Sequence, residues 1–192
     1  MTFVCDSDTP VVKPGLTKLR VLTMRRGHTV SRLDSFIRRV SAQRDCLNHA
    51  FRLIGNLTGP ILELGLGNGR TYYHLRENCP EREIFVFECE VRPHPDCMPD
   101  PDYIFEGDIF ETLPRAAHRI DLPAVMAHID MVSGDDEIDR RIAAFLSRQV
   151  PPMMAEQSVI LCDQELQLPN WESRPLPDGI PEQRYFYYAY GF

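Results

Sequence analysis

A carboxylate followed by three alternate glycines is the pattern in this chain best suited to binding chemistry. It spans Pro60 to Thr71 as Pro-Ile-Leu-Glu-Leu-Gly-Leu-Gly-Asn-Gly-Arg-Thr, with Glu63 two residues before Gly65. Glycines let the backbone turn tightly with no Cβ in the way, so a ligand can lie against main-chain N–H groups where the next helix starts. Dinucleotide-binding folds place G-x-G-x-x-G under a pyrophosphate, whereas Glu-x-Gly-x-Gly-x-Gly favours a cationic amino-acid ligand over a diphosphate. The sequence therefore predicts a site for a nucleoside-bearing cofactor.

These residues resemble motif I of the class I S-adenosylmethionine-dependent methyltransferases. The resemblance implies that the glycine turn passes under the methionine part of S-adenosylmethionine and that Glu63 helps to hold its ammonium group. The implied cofactor-binding residues of the turn are Gly65, Gly67, Asn68, Gly69 and Thr71. With Ser31-Arg-Leu-Asp34 before the first helix, the pattern is most similar to a group of small bacterial methyltransferase-like proteins. A strand, a glycine turn and a helix also occur in other α/β proteins, so the later motifs have to support this resemblance.

A second carboxylate, Glu88, is expected at the end of the next strand, 19 residues after Gly69. A carboxylate there can accept hydrogen bonds from both ribose hydroxyls of an adenosine-containing cofactor. The alternative is a solvated acid at a strand end, and Glu90 is the reserve candidate.

A third carboxylate, Asp108, follows the third strand in Glu-Gly-Asp-Ile-Phe, residues 106–110. This segment is similar to the acidic turn with which the family meets adenine. The similarity implies that Asp108 accepts from the exocyclic amine and that the Ile109 N–H donates to a ring nitrogen. A helix cap or a turn aspartate is the competing interpretation of Asp108. The specific signal is that Glu63, Glu88 and Asp108 all fall at strand ends, along one edge of the sheet.

The fourth and fifth strands end in His128-Ile-Asp130 and Cys162-Asp163. In the family these positions border the transferred methyl group, so His128 and Asp130 are the candidate catalytic residues and His128 is also a candidate cofactor contact. For His128, orienting the substrate or accepting a proton competes equally with simple packing beside the cofactor. Asp130 and Asp163 suggest a divalent cation, as in the catechol-type branch of the family. Because no third oxygen ligand stands at a recognisable spacing, we predict no metal.

Length and charge restrict the classes of protein and partner. The 192 residues fit one domain, and the net charge is -7. From residue 31 on, 16 basic residues face 26 acidic ones, so nucleic acid is not expected as the substrate. Six cysteines without a C-x-x-C pair indicate reduced thiols, and no apolar run has the ~18 residues of a membrane span. We therefore expect a cytoplasmic protein that acts on a small molecule without membrane contact, and the sequence leaves a homodimer open.

The order of the elements predicts a single Rossmann-like methyltransferase domain over residues 31–192, behind a flexible arm at residues 1–30. Ser31 and Asp34 form a capping box, and the apolar residues after it recur at three and four as far as Gly55. The chain then alternates between strands and helices, which predicts a mostly parallel twisted sheet with helices on both faces. The expected elements are strands at 61–64, 84–87, 103–105, 124–129, 158–162 and 184–190, and helices at 71–78, 113–118 and 135–149.

Two proline-rich stretches predict a compact version of the fold. Residues 92–101 contain four prolines where a helix is usual, and residues 168–181 contain four more where the last helix would be. We expect loops at both places. Because loops at the carboxyl edge of such a sheet recognise substrates, these departures concern the substrate class more than the cofactor.

Three functions are compatible with this pattern. The first is a methyltransferase acting on an unidentified, small-molecule acceptor. The second is a non-catalytic S-adenosylmethionine-binding sensor or partner protein, which the missing helices make credible. The third is a nicotinamide-dependent oxidoreductase, which the glycine spacing disfavours.

Overall fold

A capped helix opens the part of the chain that the structure describes. The structure is a computed structural model, and it describes residues 31–181 and 185–192. Helix α1 spans Arg32–Ile54, and the Ser31 hydroxyl accepts the Asp34 backbone N–H at 2.9 Å and donates to the Asp34 carboxylate at 2.7 Å. The predicted helix start is confirmed. The arm predicted for residues 1–30 lies outside the described residues.

The described residues after α1 form one sheet and three further helices. The elements are β1 Ile61–Leu64, α2 Arg70–Asn78, β2 Ile84–Glu88, β3 Ile104–Glu106, α3 Ile109–Ala116, β4 Ala124–Ile129, α4 Asp136–Gln149, β5 Met154–Cys162, β6 Glu172–Ser173 and β7 Phe186–Tyr190. The strand order is β3-β2-β1-β4-β5-β7-β6, with β1 to β5 parallel and β7 antiparallel to both neighbours. Since the order reverses between β1 and β4, a crevice opens at the carboxyl ends of these two strands, where such sheets bind ligands.

Helices cover both faces of the sheet, as the sequence predicts. On one face, Leu47 of α1 and Leu75 of α2 are buried in a core cluster that also contains Tyr187 of β7. On the other face, Leu113 of α3 and Leu146 of α4 are buried in a second core cluster, together with strand residues such as Leu62 and Ala127. The near-continuous apolar runs of β1 and β4 follow from this arrangement, because both faces of these strands are buried.

Only part of α1 packs on the domain. Its buried residues begin at Ala42, whereas Leu33, Phe36 and Ile37 on the same apolar stripe remain exposed. The apolar stripe that the sequence shows as far as Gly55 is therefore buried only from Ala42 on.

Helix α3 begins earlier than predicted. The prediction starts it at Leu113 so that Pro114 falls in the first turn, but Asp108 caps a helix over Ile109–Ala116 with Pro114 in its interior. Burial explains the difference, since Ile109, Thr112, Leu113 and Ala116 form one buried face.

The two proline-rich stretches carry no α-helix in the described residues. The first forms two single 3-10 turns, Pro95–Cys97 and Pro101–Tyr103. The second contains the two-residue strand β6, which pairs with β7 and which the sequence analysis misses. Strand β5 is also four residues longer at its start than predicted.

Within the described ranges no helix is both long and apolar enough to cross a membrane, and the five cysteines there are unpaired.

Candidate functional site

The glycine turn after β1 is held in shape by its own backbone. The Gly65 N–H donates to the Phe87 carbonyl at 2.9 Å, and the Gly69 N–H donates to the Leu66 carbonyl at 2.8 Å. Gly65, Gly67 and Gly69 have φ values of 91°, 49° and 82°, in the left-handed region that favours glycine.

The three glycines are required for different physical reasons. A Cβ on Gly65 would collide with the Asp130 carbonyl, and one on Gly69 would lie 2.6 Å from the Cys97 Cβ in the proline-rich loop. A Cβ on Gly67 would meet no atom within 4 Å. Gly65 and Gly69 therefore allow close packing within the protein, whereas the space above Gly67 is open to a ligand.

That open space belongs to a cavity of about 360 Å³ at the crevice between β1 and β4. The glycine turn forms the floor of this cavity, and α1 contributes one wall. Glu88 and Asp130 lie at the carboxyl ends of β2 and β4, the two strands that flank β1. The lining residues are Arg39, Val40, Gln43, Gly65, Leu66, Gly67, Asn68, Arg70, Thr71, Glu88, Asp130, Met131 and Val132. A cavity of about 450 Å³ lies elsewhere, beside Arg82 and the residues before β1, away from the strand-end carboxylates.

Glu88 lines the cavity at the end of β2, as the sequence predicts. One carboxylate oxygen accepts the Gly67 N–H at 2.7 Å, and the other accepts the Cys89 N–H at 2.8 Å. Each oxygen retains a further lone pair for a ligand hydroxyl. Glu90 instead pairs with exposed Arg92.

Asp130 lines the cavity at the end of β4 and receives two side chains from α1. Its carboxylate accepts from Arg39 Nη1 at 3.1 and 3.2 Å and from Gln43 Nε2 at 2.7 Å. The Asp130 side chain is 23 % exposed and that of Arg39 is 44 % exposed, so both remain open to the cavity. These contacts attach α1 to the sheet edge.

Glu63 lies beneath the turn and does not line the cavity. Its side chain is fully buried, and its two oxygens meet His128 Nδ1 at 2.7 Å and the Thr71 hydroxyl at 2.5 Å. With both oxygens occupied and no exposed surface, this geometry does not offer Glu63 to a ligand ammonium group directly. Its visible role is to hold Thr71, which does line the cavity.

His128 is buried with Glu63 and is likewise absent from the cavity wall. Burial opposes charging of the ring, but the Glu63 carboxylate, with Asp130 and Asp163 farther off, raises the pKa of His128 above its ordinary value. The imidazolium form carries protons on both nitrogens, and Nε2 has no partner among the described residues. His128 therefore packs under the site, and direct contact with a reacting atom is not available to it in this arrangement.

Asp108 and Ile109 lie at the N-terminus of α3. The Asp108 carboxylate accepts the Phe110 N–H at 2.9 Å, so this residue caps α3. The Ile109 side chain is buried in the core. Neither residue lines the cavity, although both follow β3, two strands from the turn.

Asp163 stands behind Asp130 at the end of β5. Burial and the neighbouring Asp130 carboxylate raise the pKa of Asp163 to about 7, although a hydrogen bond from the Val132 N–H, at 2.8 Å, opposes the shift. Among the described residues no group of three or more metal-ligating side chains could hold an ion.

Arg39 and Gln43, the two polar α1 residues of the site, are not predicted from the sequence. A signal for Gln43 exists, because it continues the apolar stripe between Val40 and Leu47 and is 4 % exposed. A polar residue on an apolar helix face needs a buried partner. Nothing local distinguishes Arg39 from the exposed Arg38 beside it.

Comparison with known proteins agrees with this geometry. The sequence model of a family described as S-adenosyl-L-methionine methyltransferase matches residues 30–190. The chain belongs to this family. It is a methyltransferase whose cofactor is S-adenosylmethionine.

Solved structures extend the comparison. An S-adenosyl-L-methionine methyl transferase from Silicibacter pomeroyi is 41 % identical, with a TM-score of 0.78 over 84 % of this chain and 99 % of the other. Human methyltransferase-like protein 13, solved with S-adenosylhomocysteine (SAH), is 12 % identical, with a TM-score of 0.50 over 80 % of this chain and 79 % of the other. The second likeness concerns the fold alone. A comparison with curated proteins gave no match.

The residues of the methyltransferase cavity fit such a cofactor. The cradle above Gly67 is one that a Cβ would fill, Glu88 retains acceptor capacity for hydroxyl groups, and Asp130 and Arg39 present opposite charges. The cavity thus combines a neutral floor, an acid at one end and an ion pair at the other.

Proposed function

We propose that this methyltransferase binds S-adenosylmethionine in the cavity above the glycine turn and transfers its methyl group to a small-molecule nucleophile. The observation that carries the proposal is the open space above Gly67, bounded by Glu88 at one strand end and Asp130 at another. In this arrangement Gly65, Gly67, Asn68, Gly69 and Thr71 cradle the methionine part. Glu88 accepts the ribose hydroxyls, and Asp108 with the Ile109 N–H meets the adenine.

The protein's part in the reaction is mainly positioning. Methyl transfer is an in-line displacement at a sulfonium carbon, so the site has to hold nucleophile, methyl and sulfur in line, about 3–3.5 Å apart, and keep water out. Met131 and Val132 supply apolar wall beside Asp130. Glu63 with His128 supports the floor of the cavity from below.

Charge and shape favour a small acceptor over nucleic acid. The chain from residue 31 on carries 16 basic and 26 acidic residues, which repels a phosphate backbone. Helix α1 closes one side of the cavity through Arg39 and Gln43. Unpaired cysteines in the described segments support a cytoplasmic location.

Transfer of a labelled methyl group tests the acceptor class. The protein is incubated with methyl-labelled S-adenosylmethionine and a cell extract separated into small-molecule, protein and nucleic-acid fractions. We expect label to accumulate in the small-molecule fraction, and not with a Gly67→Val variant. Label confined to protein or nucleic acid would contradict the acceptor class, and binding without any transfer would leave a cofactor-binding sensor.

The cofactor-binding residues are tested with matched nucleosides. Glu88→Ala and Asp108→Ala should each weaken SAH binding by ~1–3 kcal/mol, because a buried partner loses its hydrogen bond. A 2′-deoxyribose analogue should bind more weakly than SAH to the unaltered protein and to Asp108→Ala, but by much less to Glu88→Ala. A full ribose penalty in Glu88→Ala would assign the ribose to another residue, with Glu90 the next to examine.

A further inference from the structure

Glu63 is fully buried and does not line the cavity. A carboxylate that binds the ammonium group of a cofactor there is therefore a different residue. Among the residues that the structure describes, two carboxylates line the cavity, Glu88 and Asp130. Glu88 is assigned to the ribose hydroxyls, which leaves Asp130, just beyond the end of β4, for the ammonium group. Asp130 also adjoins Gly65, since its carbonyl occupies the place that a Gly65 Cβ would need.

The methionine end of the cofactor is a zwitterion, and the far end of the cavity has the complementary pair of charges. Asp130 is bound by Arg39, and only Nη1 of this arginine is engaged by the described residues. A guanidinium has five N–H donors, so Nε and Nη2 remain for a ligand carboxylate in the two-pronged geometry that arginine favours. We infer that Arg39 binds the carboxylate of S-adenosylmethionine and that Asp130 binds its ammonium group, which makes α1 part of the cofactor site. This inference rests on the proposed function.

Charge balance supports this assignment. A ligand carboxylate at Nε and Nη2 of Arg39 and a ligand ammonium group at Asp130 add two ion pairs beside the existing one and leave no charge unpaired. A ligand end that lacks these charges would cover the Arg39–Asp130 pair without forming new ion pairs. The site therefore selects for the intact amino-acid end and against cofactor fragments that lack it.

Gln43 positions Asp130 for this role. Its amide donates to Asp130 Oδ2 at 2.7 Å from a buried place on α1, so the carboxylate stays oriented when Arg39 turns to a ligand. Arg70, which also lines the cavity, reaches no carboxylate among the described residues and lies over the Phe36 ring at 5.9 Å. It adds positive potential on the side assigned to the ligand carboxylate.

Three ligands separate the two charged groups in a binding experiment. SAH carries both groups, its decarboxylated analogue S-adenosyl-3-thiopropylamine carries only the ammonium, and methylthioadenosine carries neither. Calorimetry with the full chain should give the unaltered protein a preference for SAH over the decarboxylated analogue of about 10- to 100-fold.

The variants then assign each group. Arg39→Gln should weaken SAH binding about 10-fold or more and leave the decarboxylated analogue unchanged. Asp130→Asn should weaken both of these ligands and leave methylthioadenosine unchanged. Arg38→Gln removes the same charge from an exposed place on the same helix and should leave all three affinities unchanged.

The outcomes distinguish this inference from the proposed function. If the unaltered protein binds none of the three ligands, the proposed cofactor site itself is wrong. If SAH binds and Arg39→Gln does not reduce its affinity, or reduces methylthioadenosine equally, the assignment to Arg39 is overturned while the cavity stands. Equal loss in Arg38→Gln would reduce the effect to overall charge and would also overturn it.

Discussion

At the tip of β1, the Glu63 carboxylate is engaged entirely by the protein itself. Its contacts to His128 and Thr71 tie β1, β4 and the start of α2 together under the cavity. An acid in a cofactor motif can thus act by fixing the floor on which a ligand rests. Removing either member of the buried pair would leave the other without its partner, which is costly in a buried setting.

Two glycines of the turn should respond differently to the same added methyl group. Gly67→Ala should fold with a loss of about 1–2 kcal/mol, from its left-handed conformation, and should lose SAH binding because the methyl group enters the cavity. Gly65→Ala should unfold far more easily, because its methyl group meets the Asp130 carbonyl. Thermal melting and calorimetry on both variants measure this contrast. Equal melting temperatures would mean that the backbone around Gly65 yields without cost.

Asp163 makes a pH-dependent contribution to stability. Its pKa is raised to about 7 from an ordinary value of 3.8, by burial and by Asp130. The folded state therefore binds more protons than the unfolded state between these values, so this contribution is fully present below about pH 4 and is lost as pH rises through 7. Asp163→Asn removes this titrating group. The free energy of unfolding of the variant should therefore rise relative to that of the unaltered protein as pH increases, by at most about 1.4 kcal/mol per pH unit.

Urea unfolding at pH 5 and pH 8 measures the gain. Asp178→Asn, at an exposed position without a described partner, is the matched control and should show no pH-dependent difference. A gain for Asp163→Asn that is the same at both pH values would contradict the assignment.

At the scale of elements, α1 divides into a packed part and an exposed part. Residues from Ala42 to Ile54 supply its buried face, while Leu33, Phe36 and Ile37 are exposed. Arg39 and Gln43 stand at the junction and bind Asp130. The junction is where a ligand in the cavity would act on the helix.

Hydrogen exchange should reveal both parts of α1. Amides of residues 36–41 should exchange faster than those of residues 46–54, because they belong to turns with few buried side chains. Addition of SAH should slow exchange at residues 36–41 through Arg39, and in Arg39→Gln this slowing should be absent. If ligand slows exchange at residues 46–54 alone, the ligand does not reach the junction.

The sequence predicts most elements because local signals agree with burial. The capping box at Ser31 and the apolar runs of β1 and β4 are local features, and the structure follows them. Where tertiary packing decides, the prediction fails. Asp108 starts α3 ahead of Pro114 because Ile109 can be buried, and β6 exists only through its pairing with β7.

The site divides in the same way. Glycine positions and strand-end acids follow from spacing, so Gly67, Glu88 and Asp130 could be expected beside one cavity. The occupation of Glu63 by His128 and the reach of Arg39 across to Asp130 depend on how helices and strands are placed in space. No short-range pattern encodes those contacts.

At the scale of the whole molecule, the prediction concerns whether residues 1–30 are needed for stability and cofactor binding. The family match covers residues 30–190, and Ser31 supplies its own helix cap. We predict that a chain beginning at Met24 keeps its melting temperature and its affinity for SAH. Thermal melting of the short and full chains, with and without SAH, measures this. A loss of several degrees in the short chain would show that the arm stabilises the domain.

Strand β7 lies between β5 and the edge strand β6, so an inner strand of the sheet comes from residues 186–190. Tyr187 and Tyr188 are buried there, and a Cβ on Gly191 would strike the Glu156 carbonyl. A ribosome therefore has to synthesise the chain past Tyr190 before β5, which pairs with β4 on one side, acquires its second neighbour. Until then β5 is an open edge of apolar residues, the kind of surface that chaperones shield. The sheet around β5 is thus completed only after translation of β7, and a message cut short before Phe186 would leave β5 without this neighbour.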